Sequence, residues 1–194
     1  ASSPGLIGPR DLIFCVIFDE TAEGERRNFI SYYADGLIQN KMLQSLTLSD
    51  TILDKSRVSW IVQALTSHPC LQELSLVYNQ FGETSMVALQ GLLSCPSCKL
   101  LHLDLSGLSL YNRGFCLGPL IRRLQNNHSL QELYLSKTWR SDDIYIIEDN
   151  KDEDIREILI MLWQCPNLVS IDLSNNAIGN LGIFQNQVST ATDK

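Results

Sequence analysis

The sequence predicts an α/β repeat fold: a solenoid with a curved parallel sheet on its concave side and helices on its convex side. Three observations lead there. Five segments share the spacing L-x-x-L-x-L, namely Leu43-Gln44-Ser45-Leu46-Thr47-Leu48, Leu71-Gln72-Glu73-Leu74-Ser75-Leu76, Leu100-Leu101-His102-Leu103-Asp104-Leu105, Leu130-Gln131-Glu132-Leu133-Tyr134-Leu135 and Leu168-Val169-Ser170-Ile171-Asp172-Leu173. Their first residues are 28, 29, 30 and 38 positions apart, too regular for chance. After each of the first four segments, apolar residues recur at helical spacing. One strand and one helix cannot enclose a core alone, whereas stacked neighbours can.

Taken in order, residues 1–9 read as a flexible N-terminal segment and residues 10–184 as a single array. Residues 10–40 form a degenerate leading repeat, with a strand in Leu12–Ile17 and Phe29, Tyr33 and Leu37 at helical spacing within 25–39. A terminal repeat is atypical because one side meets water. In the five repeats from 43 to 178, alternate leucines of each strand point inward and the residues between them outward. The helical stripes are Trp60, Ile61, Ala64 and Leu65; Met86, Leu89, Leu92 and Leu93; Leu117, Leu120, Ile121 and Leu124; and Ile155, Ile158, Leu159 and Leu162. The long fourth interval contains an acidic insertion, residues 139–154, with seven acids against Arg140 and Lys151. After Ile178, Leu181, Ile183 and Phe184 either fold back as a minimal cap or belong to a fragment of a longer protein. Residues 185–194 are a polar tail.

The motif extends past each strand. Asn79 with Phe81, Leu108 with Leu110, and Asn176 with Ile178 fill the ninth and eleventh places, and Leu173-Ser174-Asn175-Asn176-Ala177-Ile178 is the fullest copy. Over Leu43 to Ile178 the chain resembles the leucine-rich repeat family, and its period resembles the ribonuclease-inhibitor-like class. Similar arrays occur in NLR-type sensors, Ran GTPase-activating protein, tropomodulin and the CARMIL actin regulators. The resemblance implies that a ninth-place asparagine satisfies backbone groups in the loop after the strand. Here that column reads Thr51, Asn79, Leu108, Thr138 and Asn176, so the loops of repeats one, three and four are expected to depart from the usual conformation. Arg140 also stands where the eleventh place wants an apolar residue.

Composition narrows the function classes. Lys and Arg total 15 against 22 Asp and Glu, a net charge of −7, so no basic face exists to track nucleic-acid phosphates. An apolar content of 44%, evenly spread, argues against disorder. No apolar run approaches the roughly 20 residues of a membrane-spanning helix, and the N-terminus lacks the pattern of a secretory signal. The cysteines Cys15, Cys70, Cys95, Cys98, Cys116 and Cys165 read as reduced thiols in a chain able to build its own core, which places it in the cytosol or the nucleus. Cys95-Pro96-Ser97-Cys98 has CxxC spacing without a second pair to complete a zinc site. His68, Cys98 and His128 fall at successive turns, but half-buried turn residues are the preferred reading, and no metal or cofactor is assigned. Asn127-His128-Ser129 matches a glycosylation sequon that has no meaning in the cytosol.

Binding has two candidate places. On the concave face, Glu73, His102, Asp104, Glu132 and Tyr134 form one patch across strands about 4.8 Å apart, with Tyr78 and Lys137 flanking it from the eighth places. In the insertion, Trp139 and Tyr145 stand among acids, a surface suited to a basic partner. His102 beside Asp104 and Glu132 imitates a general-base pair, but an open groove excludes no water, and no nucleophile motif or phosphate loop accompanies it. No catalytic residue is assigned. The expected function is a non-enzymatic scaffold that binds a protein partner on the concave face, assisted by the insertion, with neither nucleic acid nor membrane as partner. Alternatives are the ligand-sensing or substrate-receptor part of a larger multidomain protein, or, by resemblance, an actin regulator or a GTPase activator acting through Tyr111-Asn112-Arg113-Gly114.

Overall fold

The structure is a computed structural model that describes residues 10–14, 34–49, 55–66, 68–79, 81–108, 118–138 and 159–176. Among the described residues, six strands make one all-parallel sheet in chain order: β1 (Asp11–Phe14), β2 (Ser45–Leu48), β3 (Glu73–Ser75), β4 (His102–Asp104), β5 (Glu132–Tyr134) and β6 (Ser170–Asp172). Between them run α1 (Lys55–Leu65), α2 (Glu83–Ser94) and α3 (Gly118–Leu124), and residues 34–39 and 159–163 are also helical. Neighbouring helices pack on one another. Strictly sequential parallel strands require a crossover after every strand, and the helices supply it.

The strands are short, but their pairing continues beyond them. Before each strand, one carbonyl accepts two N–H groups of the next repeat: Gln44 from Gln72 and Glu73, Gln72 from Leu101 and His102, and Leu101 from Gln131 and Glu132. After each strand the direction reverses. Leu76, Leu105 and Leu135 donate to the carbonyls of Asp104, Tyr134 and Asp172. This register aligns Leu12, Leu46, Leu74, Leu103, Leu133 and Ile171 in one row. Leu46, Leu74, Leu103 and Leu133 are buried in a single core with Ile61, Leu65, Leu89, Ile121 and Leu124 of the helices. Ile171, which among the described residues has a strand on only one side, is half-buried.

Two sequence expectations are corrected here. The buried stripe of α1 is Val58, Ile61, Val62 and Leu65, while Trp60 is 44% exposed and Ala64 is half-buried. Positions 58, 61, 62 and 65 follow the i, i+3, i+4, i+7 pattern of one helical face, and Trp60 falls outside it. In α2, Met86, Leu89, Leu92 and Leu93 are buried as expected. The second correction concerns the loops. Tyr78, Gly107, Lys137 and Asn175, all at eighth places, have φ of 56°, 70°, 56° and 56°. Repeats three and four therefore turn as repeats two and five do, without the asparagine.

Different side chains satisfy the same turn. Asn79 Nδ2 donates to the carbonyls of Leu76 and, one repeat back, Leu48. Asn176 Nδ2 does the same with Leu173 (2.9 Å) and Leu135 (2.7 Å). In repeat four, the buried Thr138 hydroxyl donates to Leu135 O at 2.7 Å, and its N–H donates to Asn176 Oδ1 at 2.8 Å. Leu108 fills the place with apolar volume and is fully buried. Thr51, Arg140 and residues 177–194 lie outside the described residues, as do Ile155 and Ile158 of the fourth stripe.

A second column precedes β2, β3 and β5, three residues before the first leucine of the repeat: Asn40, His68 and Asn127, all buried. Asn127 Oδ1 accepts the N–H groups of Ser129 and Leu130, while its Nδ2 donates to Leu93 O at 2.8 Å. His68 plays the same part with a ring. Nδ1 accepts the Cys70 N–H at 3.4 Å, which puts the proton on Nε2, 2.6 Å from Asn40 O. Burial holds the His68 pKa below its ordinary value, and nearby Lys41 adds to the effect. Protonation would place a second N–H against that of Cys70.

Two predictions follow from the packing. Leu103→Ala empties a fully enclosed site and should cost about 2–5 kcal/mol in urea unfolding, whereas Leu173→Ala, at a half-buried site, should cost clearly less. Equal costs would contradict the register. Because folding favours neutral His68, its contribution is complete above the unfolded-state value of 6.5 and is lost as pH falls towards the lower folded-state value. Unfolding midpoints measured across that range should fall with pH, and His68→Gln should flatten the slope.

Candidate functional site

The sheet face turned away from the helices carries two rows of outward side chains. The first row is Ser45, Glu73, His102, Glu132 and Ser170; the second is Thr47, Ser75, Asp104, Tyr134 and Asp172. Strand alternation places Glu132 and Tyr134 on the same side, and the β4–β5 register sets His102 directly beside Glu132. These three side chains meet. Tyr134 Oη donates to Glu132 Oε2 at 2.5 Å, and His102 Nδ1 lies 2.9 Å from the same oxygen. Both His102 and Glu132 are about one-third exposed, so the cluster is open to solvent.

The electrostatics follow from these contacts. The Tyr134 hydroxyl, and after it His102, hold the Glu132 carboxyl below its ordinary range. The Glu132 carboxylate in turn pushes the Tyr134 phenol up, with smaller contributions from Asp104 and Asp172. A carboxylate stabilised in this way is a weak base, and such a phenol resists ionisation. The arrangement favours a fixed hydrogen-bond acceptor with a rigid aromatic beside it.

The remaining candidates divide. Asp104 does not pair with His102; its Oδ1 accepts the Ser106 N–H at 2.9 Å, fixing the turn after β4. Asp172 makes the same bond to Ser174 at 2.8 Å. An aspartate at the end of a strand readily accepts the backbone N–H two residues ahead, which competes with a side-chain partner on its own strand. Glu73 is exposed beside His102 in the first row. Tyr78 and Lys137 come together across an intervening repeat. Lys137 Nζ donates to Tyr78 Oη at 3.2 Å and lies 5.9 Å from the ring centroid, within cation–π range. The Tyr78 ring covers Gly107 so closely that a Cβ there would lie 2.2 Å from it.

Trp139 and Tyr145 lie outside the described residues. Asp172 and Gly107 join the site without having been singled out. Asp172 shares the column of Asp104 and so was available from the register. Gly107 had no signal beyond its eighth place. His68, Cys98 and His128 do not converge: His68 uses both ring nitrogens internally, and no group of three metal-binding side chains is present among the described residues. Nor is any helix among them long and apolar enough to cross a membrane.

Residues 164–184 match the family model described as Leucine Rich repeat. Over 109 residues, 55% of this chain, the sequence is 35% identical to Tonsoku-like protein of Bos taurus, of which the match covers 7%. Over 162 residues, 74% of this chain, it is 26% identical to NACHT, LRR and PYD domains-containing protein 5 of Mus musculus, of which the match covers 14%. The chain thus spans a small part of the length of either relative. These likenesses, with the repeating strands, support the leucine-rich repeat family.

Two substitutions test the geometry. Tyr134→Phe removes the main donor to Glu132, so its carboxyl should titrate at higher pH, as followed by carboxyl-carbon NMR; an unmoved titration would mean the contact does not form in solution. Gly107→Ala combines an unfavourable φ with a clash against Tyr78 and should cost about 1 kcal/mol or more in unfolding free energy. A Tyr78→Ala background should relieve part of that cost.

Proposed function

We propose that this chain, as part of a leucine-rich repeat protein of the ribonuclease-inhibitor-like class, is a curved solenoid that works as a non-enzymatic protein-interaction scaffold. Its binding surface is the concave, helix-free face. The observation that carries the reading is the Glu132 carboxylate held between Tyr134 and His102. A side chain already ordered loses little entropy on binding, and Tyr is a frequent interface anchor. Acids outnumber cations in the two rows, so the complementary partner is a protein segment rich in Lys or Arg. Glu73, Asp104 and Asp172 extend the acidic surface, Tyr78 and Lys137 border it, and Trp139 and Tyr145 of the acidic insertion are the sequence candidates for assisting the same binding. The protein works in the cytosol or the nucleus.

The match to the mouse NACHT, LRR and PYD domains-containing protein over 74% of this chain favours a second reading. In it the array is the ligand-sensing or substrate-receptor part of a larger multidomain protein. Both readings use the same face.

The test is affinity capture from lysate with wild type, a Tyr134→Ala/Glu132→Lys double variant and a Trp60→Ser control on α1. A partner retained by the control should be lost by the double variant. Its Kd should weaken about tenfold or more, as expected for removal of an interface anchor, and added salt should weaken wild-type binding. An identical captured set for all three proteins would place the interface elsewhere.

A further inference from the structure

The Cys95-Pro96-Ser97-Cys98 segment, left without a role by the scaffold reading, lies at the opposite end of the repeat from the strand's exit loop. Helix α2 stops there. Cys95 has left helical geometry, with φ −68° and ψ 125°, and its N–H bonds Leu92 O. The chain then makes a hydrogen-bonded turn, Cys98 N–H to Cys95 O at 2.9 Å. Pro96 presets its first corner, and Ser97 is not among the residues of positive φ, which matches a type I turn. Such a turn holds its end Cα atoms within about 7 Å of each other, and a disulfide spans Cα separations of about 4.4–6.8 Å. Both thiols are free and half-exposed.

We propose that Cys95 and Cys98 form a reversible dithiol–disulfide site that reacts with low-molecular-weight disulfides. Cys95 is the attacking group. Its Sγ lies 3.2 Å from Ser97 Oγ, and that hydroxyl, with the Ser97 backbone, holds the thiol below its ordinary range. The helix end offers no help, since the C-terminal dipole opposes a thiolate; the stabilisation comes from the turn itself. Cys98 is the resolving group. It packs partly against the core, with Ser129 Oγ 3.8 Å from its sulfur. Cys165 shows the contrast. It is buried, bonded to Met161 O at 3.5 Å, and its pKa is pushed up to about 11 by burial, which suits packing and not exchange.

The reaction balances in two steps. The Cys95 thiolate attacks one sulfur of the small disulfide, forming a mixed disulfide and releasing one small thiolate, which takes up a proton. Cys98 then gives up its proton and attacks the Cys95 sulfur, closing the ring and releasing the second small thiol. The protein loses two electrons, which reduce one small disulfide to two thiols.

Glutathione disulfide is the probe. The folded chain is incubated with it at a series of reduced-to-oxidised ratios, quenched by alkylation and mapped by mass spectrometry. Wild type should lose both thiols together to a Cys95–Cys98 crosslink without an accumulating adduct, and Cys165 should remain unmodified until the protein is denatured. Cys98→Ser should trap glutathione on Cys95, and Cys95→Ser should abolish fast reaction at Cys98. Both variants substitute half-exposed positions, and their unfolding midpoints establish that they are folded. A persistent adduct on wild-type Cys95, or modification of Cys95 no faster than of half-exposed Cys70, would overturn the proposal.

Discussion

Each strand has three or four residues, and its inward side chains are enclosed only where another strand stands on both sides. Leu133 is 1% exposed between β4 and β6, whereas Ile171 in the same row, on the last of the described strands, is half-buried. The hydrophobic gain of one repeat is therefore realised by its neighbours. Everything else must preserve the register that makes this stacking possible. The paired hydrogen bonds before each strand do so at one end, and the left-handed eighth-place turn does so at the other. Asn79, Leu108, Thr138 and Asn176 are four answers to one requirement: a buried corner must have either its carbonyls bonded or its space filled.

The outward face inherits its geometry from the same register. His102 and Glu132 meet because Leu103 and Leu133 are neighbours in the core. Tyr134 reaches Glu132 because alternate residues of a strand share a side. No part of that cluster is carried by a mobile connection, so its acceptor is oriented before any partner arrives. The electrostatic consequence is mutual: Glu132 is kept ionised and Tyr134 is kept protonated. Acid and phenol together present one directed oxygen beside one apolar ring.

The strands were legible because leucine at fixed spacing reports which side chains must face inward, and the parallel order then gave the rows of the outward face. Helix α1 was harder. Trp60, Ile61, Ala64 and Leu65 compete with Val58, Ile61, Val62 and Leu65, and both sets are apolar; which of them faces the core depends on how the helix rotates against the sheet. The turns after β4 and β5 were hidden because the ninth place lacks its asparagine there, although Gly107 and Lys137 in the eighth places keep the positive φ. Lys137 adopts it despite its Cβ atom, and nothing in its side chain announces it. Asp104 was the right residue type on the right face, yet sequence does not reveal that a carboxylate prefers the N–H two residues ahead to an imidazole on its own strand.

The sequential pairing also has a mechanical side. The interstrand hydrogen bonds run from one repeat to the next, so tension applied between β1 and β6 is borne by successive ladders in series, one strand pair after another. Within one ladder the few hydrogen bonds and the helix contacts beside them share the load, but the ladders themselves do not add. The weakest ladder opens first, and its opening uncovers the inward side chains of the repeats on either side. Under load, such an array yields where its stacking is weakest, and the loss spreads to the neighbouring repeats.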